Sequence, residues 1–201
     1  MKIALGSDHG GFLLKKEVAR HLMVKGIEFT DFGTFDGEQS VDYTDYVWPV
    51  AFGVSKGDFD LGILVCGTGI GVAIAANKVK GIRAAICTNG YMARMCREHN
   101  DANILTLGGR VLGNGLALEI VDIFLSTSFL GGRHAARLEK IRWMELHGPD
   151  ATVTNGCAAD SSNAPEACAR DIKAAGKAAG EATGEAVGKS AAADAGANKS
   201  K

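Results

Sequence analysis

Five short apolar runs, KIALGSD (2–8), IEFTDFG (27–33), LGILVCG (61–67), IRAAICT (82–88) and ILTLGG (104–109), are each followed by a stretch of helical period. This alternation constrains the fold more than any other feature of the chain. The runs are continuously apolar, without in–out alternation, so they suit strands covered by helices on both faces. Leu14, Val18 and Leu22 recur at helical spacing after the first run and mark the buried face of a crossover helix. Right-handed crossovers then give a doubly wound, Rossmann-like α/β sandwich with a five-stranded parallel sheet. Pro49, inside YTDYVWPVAFGVSKG, is expected to kink or delay the second helix.

The alternation stops near His147. From Pro149 onward, apolar residues larger than alanine nearly vanish, and Ala, Gly, Lys, Asp, Glu and Ser leave little to bury. Gly176, Gly180, Gly184 and Gly188 would line up on a helix, but each costs about 1 kcal/mol of helix relative to alanine. The expectation is one domain over 1–147 and an Ala/Gly-rich tail over 148–201, disordered or marginally helical.

Charge narrows the partners. With 22 Lys+Arg against 23 Asp+Glu, no positive field exists to recruit nucleic acid or an anionic membrane. No apolar run is long enough to span a bilayer, and MKIALGSDHGG reaches Asp8 and His9 too soon for a signal-peptide core. The five cysteines (Cys66, Cys87, Cys96, Cys157 and Cys168) are odd in number and lack Cys-x-x-Cys spacing, which points to a reducing compartment, the cytoplasm.

In open parallel sheets, ligands bind at the carboxyl ends of the strands. Those ends carry Asp8-His9-Gly10-Gly11 and Cys66-Gly67-Thr68-Gly69-Ile70-Gly71, both leading into helices. Glycines admit close backbone approach, and a helix N-terminus behind Gly71 offers unpaired N–H groups, so the second loop is an anion cradle. A phosphate fits it, and so does the developing oxygen charge of a reacting carbonyl. A dinucleotide fits poorly: Val72 stands where the third glycine of the fingerprint belongs, and no acidic residue follows about twenty positions later.

Cys66 has two readings, a buried strand cysteine or a nucleophile or general base. Its place beside a glycine nest and a helix N-terminus favours thiolate character and the second reading. Cys87 and Cys96 lack such a loop and read as a core residue and a helix residue. REHNDAN places Arg97, His99, Asn100 and Asp101 in a polar loop before the fifth strand, either as helix-capping groups or as site residues. LGGRHAARLEKIR sets Arg133 and Arg137 on one helical face, with His134 nearby, behind two glycines that suggest a positioned loop for a phosphate.

GSDHGG, CGTGIGVAIAANK, REHNDANILTLGGRV and GGRHAARLEKI, in that order over residues 1–143, together resemble the ribose-5-phosphate isomerase type B family, which includes the galactose-6-phosphate isomerase subunits. The resemblance implies a metal-free aldose–ketose isomerase, without organic cofactor, acting on a sugar phosphate through ring opening and an enediolate. It makes 1–147 the isomerase domain and implies ribose 5-phosphate and ribulose 5-phosphate as the pair interconverted.

Carried over by motif, Cys66 is the base, and the Gly67, Gly69 and Gly71 backbone holds the enediolate oxygen. Thr68 assists proton movement, His99 opens the ring, and Asp8 orients His99 or a sugar hydroxyl. Asn100 binds another hydroxyl, while His9, Arg110, Arg133 and Arg137 form the phosphate clamp; Asp42 is a lesser candidate. Val72 occupies the position where another branch of the family carries its glutamate base, which puts this chain in the cysteine branch. Family members assemble as homodimers or tetramers with sites shared between subunits. A hexose-6-phosphate isomerase of the same family, a nucleotide-binding module and a tail-driven interaction protein are the alternatives.

Overall fold

A computed structural model describes residues 1–147; the tail expected over 148–201 lies outside the described residues. The elements run β1 (Lys2–Ser7), α1 (Phe12–Val24), β2 (Glu28–Asp31), α2 (Tyr43–Lys56), β3 (Leu61–Cys66), α3 (Ile70–Ala76), β4 (Ala84–Ile86), α4 (Gly90–Asn100), β5 (Ile104–Gly108), α5 (Asn114–Ser126) and α6 (Arg133–His147). The five strands form one parallel sheet in the order β2-β1-β3-β5-β4. This is the expected doubly wound sheet. Its order reverses between β1 and β3, where the loops leaving the two strands diverge to opposite faces and open a crevice.

Strand residues alternate between two apolar layers. Ile3, Leu5, Ile63, Val65, Leu105 and Leu107 pack under α1, α4 and α5, where Leu14, Val18 and Leu22 are buried as their spacing requires. Ala4, Leu64, Cys66 and Ile104 face α2 and α3 on the other side. The apolar runs read as continuous because both faces are covered.

Two sequence expectations need correcting. Pro49 does not delay its helix: the Asp42 carboxylate accepts the Thr44 N–H at 3.0 Å, capping α2 at Tyr43, and the helix passes through Pro49 to a left-handed Gly57. The sheet above and Val47, Val50, Ala51 and Val54 beneath it hold the helix together where the proline removes a hydrogen bond. The polar REHNDAN segment is not a loop up to Asp101; Arg97, His99 and Asn100 form the last turn of α4. Asp101 caps that helix with φ 43°, held in this conformation by Arg83 at 2.8 Å and Arg97 at 3.0 Å. Those ion pairs stabilise a left-handed residue that glycine or asparagine usually provides.

Lys15 is 1% exposed on α1. Its ammonium donates to both carboxylate oxygens of Asp31, at 2.8 and 2.7 Å, and to the Thr34 carbonyl at 2.9 Å, which satisfies all three of its hydrogens. The segment after β2 is thereby tied down against α1.

Candidate active site

The site grows from backbone packing at the carboxyl edge of β1, β3 and β5. A Cβ on Gly11 would lie 2.4 Å from the Val65 carbonyl oxygen, and one on Gly109 would lie 2.9 Å from that of Gly10. Only glycine permits these approaches. The Gly109 N–H donates to the Cys66 carbonyl at 2.7 Å and the Arg110 N–H to that of Gly67 at 3.0 Å, closing the three loops into one floor.

Cys66 ends β3, is 5% exposed, and its sulfur accepts the Gly69 N–H at 3.1 Å. Gly69, with φ 80°, turns the chain into α3, which starts at Ile70 rather than behind Gly71 and has no side-chain cap. The N–H groups of Gly67, Thr68 and Gly71 consequently find no acceptor among the described residues. These three donors are left open to an anion, whereas the Gly69 N–H, expected to join them, is taken up by the Cys66 sulfur. Thr68 is exposed beside them, its hydroxyl accepting the Ile70 N–H at 3.3 Å.

Asp8 and His9 adjoin this floor. A buried Asp8 carboxylate accepts the Gly11 N–H at 2.9 Å. The Val41 N–H donates to His9 Nδ1 at 3.2 Å, so a neutral His9 carries its proton on Nε2 as a donor to an anion. Arg110 is exposed, and its side chain lies along Gly67, with Cδ 3.6 Å from where a Cβ would stand. Asp42 caps α2 and so sets the start of the helix behind Val41.

The remaining candidates gather elsewhere. α4 runs back across the sheet, so His99 and Asn100 lie at the amino edge, just before β5 begins at Ile104. Ile104 pairs with Gly62, while Cys66 pairs with Gly108. That offset is four residues at about 3.3 Å each, roughly 13 Å of strand. Within one chain, therefore, Asp8 and His99 are not brought together, and Arg133 and Arg137 do not join His9 and Arg110.

The His99 cluster has its own order. Its ring stacks on that of His134, centroids 4.1 Å apart and planes within 6°. His134 is 5% exposed in the first turn of α6, and its Nε2 accepts from Arg133 Nε at 3.4 Å. Burial, then the positive charge of His99, Arg133 and Arg137, pushes the His134 imidazole below its ordinary range, with Glu98 acting the other way. Gly131 and Gly132, at φ 64° and 55°, turn the chain into α6, as a positioned loop requires. Arg133 and Arg137 are exposed, and neither they nor Arg110 form an ion pair among the described residues, which leaves three guanidinium groups available to an anion.

Sequence reasoning missed three contributors. Tyr43 lays its ring over the loop, 2.9 Å from where a Cβ on Gly71 would stand. Val41 fixes the tautomer of His9 through its backbone, which no side-chain pattern reveals. His134, noted only as a neighbour of the arginines, is joined to His99 by a contact between separate helices. A groove of about 610 Å³ between α6 and residues 80–83 contains none of the β1 or β3 loop residues.

Sheet order, thiol and unpaired amides together define an open α/β protein with a glycine-rich loop of unpaired amides at its switch point. Residues 3–141 match the ribose/galactose isomerase family, and the chain belongs to that family. It is 49% identical over 144 residues to ribose-5-phosphate isomerase B of Escherichia coli, an alignment covering 72% of this chain and 96% of that protein. A Clostridium thermocellum ribose-5-phosphate isomerase B structure superposes with TM-score 0.71 at 60% identity, covering 73% of this chain and 98% of that one. A Mycoplasma genitalium ribose-5-phosphate isomerase B structure with bound ribulose-5-phosphate gives TM-score 0.69 at 42% identity, covering 72% and 96%.

Proposed function

We propose that the chain interconverts ribose 5-phosphate and ribulose 5-phosphate, with Cys66 as the base. The carrying observation is the Cys66 sulfur, held by the Gly69 amide beside three unpaired amides. The thiolate removes the proton on C2 of the opened aldose. Negative charge then develops on the carbonyl oxygen, where the N–H groups of Gly67, Thr68 and Gly71 stabilise it. The Cys66 proton returns to C1, and Thr68 carries a hydroxyl proton from O2 to O1, so the step is balanced without oxidant or reductant. His99 opens the furanose before this transfer. Asn100 holds a sugar hydroxyl, while His9, Arg110, Arg133 and Arg137 bind the phosphate.

The working unit in this reading is a pair of chains, since His99, Arg133 and Arg137 of one chain face away from its own Cys66. Support also comes from α6, which buries His134 alone and leaves Ile141, Met144 and Leu146 exposed. Residues 1–147 form the isomerase domain. A cytoplasmic location accords with the free thiols of Cys66, Cys87 and Cys96 among the described residues, where no helix is long and apolar enough to cross a membrane.

The deciding experiment is isomerisation of ribose 5-phosphate by the purified full chain beside Cys66→Ala, with allose and galactose 6-phosphates as competing substrates. Fastest turnover of the pentose, lost in a folded mutant, supports the proposal. The family spans ribose and galactose chemistry, so faster turnover of a hexose phosphate changes the substrate and leaves the mechanism. No turnover of any of the three removes the reading.

A further inference from the structure

Beyond the residues assigned above, we infer that His134 is a positioning residue that fixes the ring plane of His99 for opening the sugar. This rests on the reading of His99 as the ring-opening group. His99 is half-buried in the last turn of α4, where a helix end frays and an unsupported imidazole samples several orientations. A flat contact of 4.1 Å with a buried partner removes that freedom. The partner is itself fixed by burial and by Arg133 Nε on its Nε2, and its backbone N–H donates to the Gly131 carbonyl at 3.1 Å.

The choice of residue argues against simple space-filling. With Nε2 accepting from Arg133, the proton of a neutral His134 is on Nδ1, a buried nitrogen with no partner among the described residues. Leucine would fill this space without a buried unmet donor, so histidine here gives up stability that packing alone would keep. A ring serves where leucine cannot: it presents a flat face to a second ring.

Ribulose 5-phosphate separates this role from a general one. Its C5 oxygen carries the phosphate, so the ketose is open-chain, and its C1 hydrogens exchange through the enediolate with no ring to open. We would compare His134→Leu and His134→Phe with the parent in two assays at saturating substrate. One follows ribose 5-phosphate isomerisation; the other follows deuterium uptake at C1 of ribulose 5-phosphate in D2O by NMR.

His134→Leu should slow isomerisation by roughly 10²-fold, the order expected when a reacting group is misplaced by about an ångström, while exchange stays within about twofold of the parent. Its melting temperature should be no lower, and His134→Phe should recover most of the isomerisation rate. Equal loss in both assays would mean a merely structural residue and overturn the inference. Two further results also overturn it: parent-like isomerisation in His134→Leu, or a Phe variant no better than Leu. A parent that exchanges but does not isomerise ribose 5-phosphate removes this inference alone, whereas a parent that does neither removes the functional reading as well.

Discussion

The Gly69 amide donates a hydrogen bond to the Cys66 sulfur at 3.1 Å, so the residue that turns β3 into α3 also holds the thiol. Removing the thiol frees the Gly69 amide but keeps the bond from the Gly109 N–H to the Cys66 carbonyl that joins the β3 and β5 loops. Cys66→Ala should lower kcat by about 10²–10⁴-fold, the usual contribution of a positioned general base, with little change in KM. Steady-state kinetics with a melting curve checks it; parent-like kcat would return Cys66 to the core.

Gly69→Ala tests the turn. At φ 80° an added Cβ is strained, and it would stand 3.0 Å from the Leu107 carbonyl carbon. The left-handed conformation alone costs roughly 1–2 kcal/mol for an L-residue. Urea denaturation should show at least that loss, and activity should fall further than the loss of folded protein explains, since the amide on the sulfur moves with the turn.

Mixing separates a shared site from a self-contained one. Cys66→Ala and His99→Ala should each be inactive as pure proteins. Unfolded together and refolded at equal concentrations, a two-fold pair sharing its sites would regain about one quarter of parent activity, because half the pairs are mixed and one site in each is intact. No recovery, with each variant refolding alone, would mean that both groups act within one chain.

Asp31→Asn should destabilise the domain by about 3 kcal/mol, because it leaves the buried Lys15 ammonium without a counter-charge. Lys15→Met, which removes the charge along with its partner's task, should cost less. Guanidinium titrations of the two variants decide the order, and a larger loss in Lys15→Met would contradict it.

Acidification should weaken the fold through His134. Its imidazole is held below the ordinary value of about 6.5, so between the two values the unfolded chain binds more protons than the folded one. Stability from this group is present above pH about 6.5 and is lost as pH falls toward the folded value. Burial sets it first, then the charges of His99, Arg133 and Arg137, with Glu98 acting in the opposite sense. Urea midpoints from pH 7.5 to 5.5 should therefore slope less in His134→Phe than in the parent.

The sheet was legible because both its faces are covered: Ile63 and Leu64 pack into opposite layers, so the run reads as uniformly apolar. The Cys66 loop was legible too, since its glycines answer to close local packing. Other features depended on long-range contacts. Asp101 looks like a loop residue until Arg83, from before β4, is seen to hold it in a left-handed turn. The separation of His99 from Cys66 follows from helix direction, which residue types do not encode. The His9 tautomer is set by the main-chain N–H of Val41, which no pattern of side chains reveals.

The floor beneath the thiol is made where Gly10, Gly11, Gly67 and Gly109 meet as bare backbone, and this limits how the protein can diversify. A surface with no side chains offers nothing to exchange, and an added methyl at Gly11 or Gly109 collides with a carbonyl oxygen. New substrate preferences must be acquired from the walls instead, through residues such as Tyr43 and Arg110. In the proposed reaction, proton transfer would then rest on backbone that admits no added methyl and substrate choice on side chains that can be exchanged.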